Sequence, residues 1–205
     1  MPKETFSKLP EGKKERVLEA GLEEFSVNSF HQATVNGIVK RAKIPKGSFY
    51  QYFEGKKDFY RYLIELSQER KITFMQETLK EMPEKGVFEK LRKLYRAGFR
   101  FAEKNPRILA IGQNLVKEDE ELRGELLGHS VASGEDFIIQ VLEKGVDRGE
   151  VDPDANLSVA ASMIAQYNLN LVDLFLGTPL EEGVEEFLAK VDDMIYILKN
   201  GLSKD

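Results

Sequence analysis

Apolar residues recur along this chain at the spacing of α-helices, and no alternating strand pattern of useful length appears. One face of a short predicted helix carries the small and branched residues Val35, Ile38, Val39 and Ala42. A second short helix starts at Pro45, and its Phe49 and Phe53 share one face. Two short amphipathic helices joined by a tight turn predict a helix-turn-helix over residues 34–53.

Polar and aromatic residues occupy the other face of the second helix: Lys46, Gly47, Ser48, Tyr50, Gln51 and Tyr52. A helix-turn-helix places its second helix in the major groove of DNA, with its first residues near the base edges. We therefore expect these side chains to contact DNA, while Gly47 permits close approach of the backbone. Thr34 and Lys56 are predicted to hold phosphates at the starts of their helices.

The local charge also indicates an anionic partner. Residues 28–57 contain six basic side chains and one acidic side chain, a net charge of +5, whereas the whole chain carries −5. A basic patch on an acidic protein is typical of nucleic-acid binding. A solvated basic face on a small helical subdomain is the alternative interpretation.

Proline and glycine mark the ends of the later helices, which makes the fold class all-α with about nine helices. The predicted ranges are 56–82, 87–104, 105–116, 119–148 and 154–176. A capping box at 178–181 precedes the last helix, which ends at Asn200. We predict a three-helix N-terminal domain over residues 1–55 and a helical body over residues 56–205.

The predicted helix over residues 154–176 is apolar on several faces, so it must be buried on more than one side. A second apolar stripe lies on the last helix: Phe187, Val191, Met194, Ile195 and Leu198. Two such helices from each of two subunits would form a four-helix dimer interface. A central core helix of a monomer is the alternative. Gln166 and Asp173 argue against a membrane span.

A ligand pocket between the helices of the body is a further expectation, since pockets combine apolar walls with a few polar groups. Candidate lining residues are Phe74, Phe99, Ile111, Asn114, Phe137, Tyr167, Asn168 and Asn170. Such an aromatic, uncharged pocket favours a lipophilic molecule, either a drug-like compound or a fatty-acyl group. Tyr167, Asn168 and Asn170 fit hydrogen bonding across a dimer interface equally well.

Catalytic chemistry finds little support in the sequence. The chain has no cysteine, and its two histidines, His31 and His129, are far apart. It contains no metal-ligand cluster, no phosphate-binding glycine loop and no nucleophile motif. We therefore expect neither an enzyme nor a bound cofactor or metal. The first residues lack the apolar stretch of a secretory signal, which favours a cytoplasmic protein.

Residues 13–64 resemble the DNA-binding domain of the tetracycline-repressor (TetR) family of bacterial regulators. The resemblance rests on the runs KKERVLEAGLEEFSVNSF and KGSFYQYFEGKKDFYRYLI. It implies a dimeric, ligand-responsive regulator, most often a repressor. The DNA-binding domain would then span residues 1–55, and residues 56–205 would bind ligand and dimerise. An architectural protein that binds DNA without regulating transcription is the alternative.

Four sites depart from the family pattern. Asn28-Ser29 stands where glycine usually precedes the aromatic residue, and Lys43 stands in the turn where the family favours glycine. A left-handed lysine there would cost roughly 1 kcal/mol, unless the turn is built differently. Pro45 replaces the usual Ser or Thr cap, and Gly55 replaces Ser or Asn before the next helix.

Overall fold

A computed structural model describes residues 2–82, 86–174 and 180–201, without the side chains of 128–130, 168–174 and 180–182. The described residues are all-α, as predicted. The helices are α1 (Glu4–Ser7), α2 (Glu11–Val27), α3 (Val35–Ala42), α4 (Lys46–Tyr52), α5 (Lys56–Lys80), α6 (Val87–Lys104), α7 (Pro106–Val116), α8 (Glu120–Val146), α9 (Leu157–Leu174) and α10 (Leu180–Asn200). Within the described ranges, no helix is both long and apolar enough to cross a membrane.

The helices pack as two compact units. The first unit consists of Met1–Glu69 and Asn105–Ser130, and the second of Arg70–Lys104 and Val131–Asp205. The first unit therefore contains α7 and part of α8 as well as the helix-turn-helix. The functional division at residue 55 stays a prediction.

Aromatic side chains form much of the core of the first unit. Phe49, Phe53 and Phe59 are fully buried, and the Phe53 and Phe59 ring centroids lie 4.5 Å apart. Burying one such ring stabilises the fold by about 1.5–3 kcal/mol. At Gly21 on α2, an added Cβ would lie 2.5 Å from the Phe59 ring, so α2 and α5 pack closely because this residue is glycine.

The core of the second unit joins α6, α8, α9 and α10. Its buried residues include Leu91, Phe137, Ile164, Val191 and Ile195. The predicted apolar stripe of the last helix, α10, is thus largely buried within the second unit. The stripe shares this cluster with Ile164 of α9, as expected for two paired helices, and the four-helix dimer interface stays a prediction.

The start of α9 and the presence of α1 differ from the sequence prediction. α9 begins at Leu157, and Asn156 caps it by accepting a hydrogen bond from the Val159 N–H at 3.1 Å. Residues 152–155 form a turn, in which the Ala155 N–H donates to the Asp152 carbonyl. The short helix α1 carries one buried residue, Phe6, and has no counterpart in the prediction. The capping box predicted at 178–181 lies outside the described residues.

Candidate nucleic-acid interface

The turn between α3 and α4 is built as the sequence suggests. Thr34 caps α3, and its Oγ1 accepts a hydrogen bond from the Gly37 N–H at 2.9 Å. Lys43 closes the helix in the left-handed conformation, with φ 53° and ψ 49°. The first of the two alternatives for this turn is therefore confirmed. A left-handed non-glycine residue costs roughly 1 kcal/mol. The burial of Ile38 and Ala42 on α3 must offset this cost.

The polar face of α4 is largely open to solvent. Lys46, Gly47 and Gln51 are exposed, Ser48 is half-buried, and Tyr50 is 44% exposed. Phe49, behind this face, is fully buried, as the apolar spacing predicts. An added Cβ at Gly47 would meet no atom within 4 Å, so this end of the helix is open to a close neighbour.

Tyr52 does not belong to the exposed face, and the expectation that it does is wrong. Its side chain is only 4% exposed, because Phe6 of α1 packs against it with ring centroids 5.9 Å apart. The Lys3 N–H donates to the Tyr52 carbonyl at 2.8 Å, and the Thr5 hydroxyl donates to the Gln51 carbonyl. The first residues of the chain therefore hold the C-terminal end of α4 in place.

A buried carboxylate, which the sequence analysis missed, organises α3. Glu24 on α2 is 4% exposed and accepts hydrogen bonds from the Thr34 N–H, at 2.9 Å, and from the Arg41 guanidinium. An added Cβ at Gly37 would collide with this carboxylate, so a larger residue there would displace Glu24 from its present position. One signal was available, since Glu24 falls four residues after the buried Ala20 on the apolar face of α2.

The Lys56 ammonium points into the loop between α2 and α3. It donates to the carbonyls of Phe30, at 2.5 Å, and Ala33, at 2.9 Å, and it lies 4.4 Å from the Phe30 ring centroid. Desolvation lowers the pKa of Lys56, although the carboxylates of Glu118 and Glu24 oppose that shift. The phosphate contact predicted for Lys56 stays a prediction. The ammonium of this residue lies at the N-terminal end of α5.

Glu118 holds the same loop from the turn between α7 and α8. Its side chain is 6% exposed, and its Oε1 accepts a hydrogen bond from the Phe30 N–H at 2.7 Å. Burial and this nearby carboxylate raise the pKa of Tyr60 well above its usual range. Glu118 opens an acidic run at 118–121, yet its carboxylate is buried in this loop contact.

Half of the basic side chains of residues 28–57 are occupied inside the first unit. Arg41 pairs with Glu23 and Glu24, Lys57 pairs with Glu125, and Lys56 binds carbonyls. The remaining basic side chains are exposed: Lys40, Lys43 and Lys46. These three lie on α3, in the turn and on α4, so the positive charge available to DNA is concentrated around the helix-turn-helix.

The predicted ligand-lining residues do not all fall in one unit. Ile111 and Asn114 belong to the first unit, where the Asn114 amide donates to the carbonyls of Phe25 and Ser26 at 3.1 and 3.2 Å. That amide therefore caps the end of α2. In the second unit, Phe74 packs against Phe101, with ring centroids 5.8 Å apart.

Phe99, Phe137 and Tyr167 share the apolar cluster of the second unit. The Phe99 ring meets Phe187 edge-on at 4.5 Å, and the Tyr167 hydroxyl donates to the Lys190 carbonyl at 3.2 Å. The side chains of Asn168 and Asn170 lie outside the described residues. Their predicted role, like that of the other candidate lining residues, stays a prediction.

Metal-ligating residues are not clustered in the part of the chain that the structure describes, where no group of three or more His, Asp or Glu could hold an ion. His31 is exposed, with its Nε2 3.7 Å from Glu118 and 3.9 Å from Asp119. Both distances exceed a hydrogen bond. The side chain of His129 lies outside the described residues.

A basic helix-turn-helix with an exposed polar second helix is typical of DNA-binding proteins of the helix-turn-helix class. Residues 17–63 match the family model described as bacterial regulatory proteins, tetR family. The chain is also 32% identical to a TetR family transcriptional regulator from Chloroflexus aurantiacus J-10-FL, covering 98% of each chain with a TM-score of 0.58. The protein belongs to the tetR family of bacterial transcriptional regulators.

Two further similarities involve Bacillus proteins. The chain is 26% identical to the fatty acid metabolism regulator protein of Bacillus subtilis over 152 residues, which cover 73% of this chain and 76% of that protein. A solved structure of the regulator FadR from Bacillus subtilis in complex with stearoyl-CoA covers 92% of this chain and 99% of its own. Its TM-score is 0.73 at 22% identity, so this second likeness concerns the fold alone.

Proposed function

We propose that this protein is a repressor that binds a palindromic operator as a homodimer and is released by a small lipophilic effector. The observation that carries the proposal is the exposed face of α4, where Lys46, Tyr50 and Gln51 are held outward by the buried Phe49 and Phe53. Because its target is bacterial DNA, we expect the protein to act in the cytoplasm.

Exposed apolar side chains of the second unit support a dimer. Val159 and Met163 on α9 are 54% and 59% exposed, and Ile197 on α10 is 45% exposed. Covering such side chains with a second copy is favourable by roughly 25 cal/mol per Å² of apolar surface. Two copies would present two α4 helices to half-sites about one DNA turn, roughly 34–36 Å, apart.

The effector class is inferred from the relatives and from the apolar body. A relative named as a fatty acid metabolism regulator and a similar fold holding stearoyl-CoA both favour a fatty-acyl effector. An effector acts only if it binds the state with the wrong half-site spacing better than the DNA-binding state. We infer that α5, which starts at Lys56 beside the helix-turn-helix, is the element whose tilt changes that spacing.

Operator titrations test the DNA-binding part. A duplex selected from a random pool would be titrated beside single-base mismatches at two salt concentrations. Gln51→Ala should lose about 1–3 kcal/mol of discrimination at one base position. Lys46→Ala should weaken all sequences alike and lower the salt slope by about one. Lys80→Ala, an exposed lysine of the second unit, is the matched control and should change neither property.

Two outcomes would overturn the DNA-binding assignment. Equal losses for Gln51→Ala and Lys46→Ala on every duplex would remove the distinction between base and phosphate contacts. Competition by random duplex as strong as that by the selected palindrome would favour an architectural DNA-binding protein.

The effector is tested separately by adding stearoyl-CoA or free stearate to the preformed complex with the operator. We expect one of them to weaken operator affinity at least tenfold. Operator affinity that is unchanged by either compound would contradict the proposed fatty-acyl effector and leave operator binding intact.

A further inference from the structure

A groove of about 840 Å³ lies in the second unit between α6 and α10. Three basic side chains of α6 line it, Arg92, Lys93 and Arg96, and Lys199 of α10 faces them from the other wall. This volume is in the range of small-molecule sites, roughly 300–1,000 Å³. None of these residues belongs to the helix-turn-helix or to the candidate pocket described above.

The lining of the groove carries an excess of positive charge. Its acidic members are Glu89 and Asp192, and Asp192 already pairs with Arg92 across 2.6 Å. Lys93, Arg96 and Lys199 are exposed. This local excess stands out in a chain whose net charge is −5.

The spacing of the arginines on α6 adds a second argument. Arg92 and Arg96, which both line the groove, are four residues apart, so they stand on the same side of the helix. Like charges at this spacing destabilise a helix. An anion bound between them would relieve that repulsion.

The groove also offers aromatic surface beside these cations. Phe88 of α6 and Tyr196 of α10 line it, and Tyr196 is 66% exposed. An exposed ring next to cationic side chains can stack on a planar group while the cations hold phosphates. The planar guanidinium of Arg96 suits two phosphate oxygens at once, whereas Lys93 and Lys199 act as point charges.

From this arrangement we infer that the groove binds a phosphate-bearing small molecule of nucleotide size. The phosphates lie against Arg96, Lys93 and Lys199, and the planar group lies on Tyr196. This binding is independent of the operator, so it is measured on the full chain without DNA.

Calorimetric titration with ADP, adenosine and inorganic pyrophosphate tests the inference. ADP should bind at least tenfold more tightly than adenosine, and its affinity should fall as salt is raised. The double variant Arg96→Gln/Lys199→Gln should weaken ADP binding at least tenfold. The matched control Arg70→Gln/Lys80→Gln removes the same charges elsewhere in the second unit and should leave ADP affinity unchanged. Tyr196→Leu should weaken ADP binding about fivefold and leave pyrophosphate binding unchanged.

Several results would overturn the inference. One is that the wild-type protein binds no ADP at millimolar concentration. Another is that the groove variant and its control bind ADP with equal affinity. A third is that the groove substitutions change only the oligomeric state, as measured by sedimentation. Circular dichroism checks that every variant is folded. Operator titration of the wild-type chain reports on the proposed function separately, so failure of one does not entail failure of the other.

Discussion

Glu118 accepts a hydrogen bond from the backbone N–H of Phe30 across 2.7 Å, although 88 residues separate them in the chain. The contact ties the turn between α7 and α8 to the loop between α2 and α3. The same loop is also held by the Lys56 ammonium, which donates to the carbonyls of Phe30 and Ala33. The entry to the helix-turn-helix is therefore fixed by two charged side chains from distant segments.

Removal of the Glu118 carboxylate should destabilise the protein. Glu118→Ala leaves the Phe30 N–H without its acceptor, and an unsatisfied buried donor costs about 1–3 kcal/mol. Urea denaturation followed by circular dichroism measures the change. Glu121→Ala removes an exposed carboxylate at the start of α8 and should stay within about 0.5 kcal/mol of the wild type. Equal losses in the two variants would contradict the role assigned to the Phe30 contact.

Lys56→Ala should weaken binding to all operator sequences alike, because it removes a charge and loosens the loop before α3. The carbonyls of Phe30 and Ala33 lose their donor, so the free energy of unfolding should fall by about 1–2 kcal/mol. If Lys56 also contacts a phosphate, as the sequence predicts, the salt slope falls by about one. Lys56→Arg, which keeps the charge, is the companion variant. Unchanged stability and operator affinity in Lys56→Ala would contradict both roles.

Glycine at position 43 should stabilise the protein. Lys43 has φ 53°, which glycine adopts without the steric cost that a side chain meets there. We expect Lys43→Gly to raise the free energy of unfolding by about 1 kcal/mol. Lys40→Gly, in the last turn of α3, should lower it by up to about 1 kcal/mol. Thermal unfolding of both variants measures the contrast, and a loss in Lys43→Gly would show that the turn is not strained.

Charge placed on the exposed apolar residues of α9 and α10 should weaken the proposed dimer. Met163→Glu/Ile197→Glu would bury two carboxylates in each copy if these residues form the interface, at a cost of several kcal/mol. Sedimentation equilibrium should then show a dissociation constant raised at least a hundredfold. Val27→Glu, which alters an exposed apolar residue of the first unit, is the control. A dimer that tolerates the double change would place its interface elsewhere.

The helix-turn-helix was predictable because its information is local. Ile38 and Ala42 repeat at helical spacing on α3, and Phe49 and Phe53 do so on α4, so burial follows from the period. Tyr52 was placed on the wrong face because its cover comes from Phe6, and a four-residue helix carries no readable period.

The hydrogen bonds of Glu118 and Asn114 could not be derived from the sequence, and the reason is different. Glu118 looks like any acidic residue before a helix, and its partner Phe30 is set by the packing of the first unit. Asn114 has the polarity of a pocket residue, yet it caps the end of α2. Such pairings depend on tertiary contacts, whereas Glu24 could have been suspected because it interrupts an apolar face.

The contacts of Lys3, Thr5 and Phe6 with the end of α4 have a practical consequence for handling this protein. A purification tag fused ahead of residue 1 would be tethered a few residues from the helix that meets the duplex. Such a tag could shift α4 or shield its face through its own charge. Operator affinities from different laboratories should therefore be compared on protein from which the purification tag has been cleaved before titration.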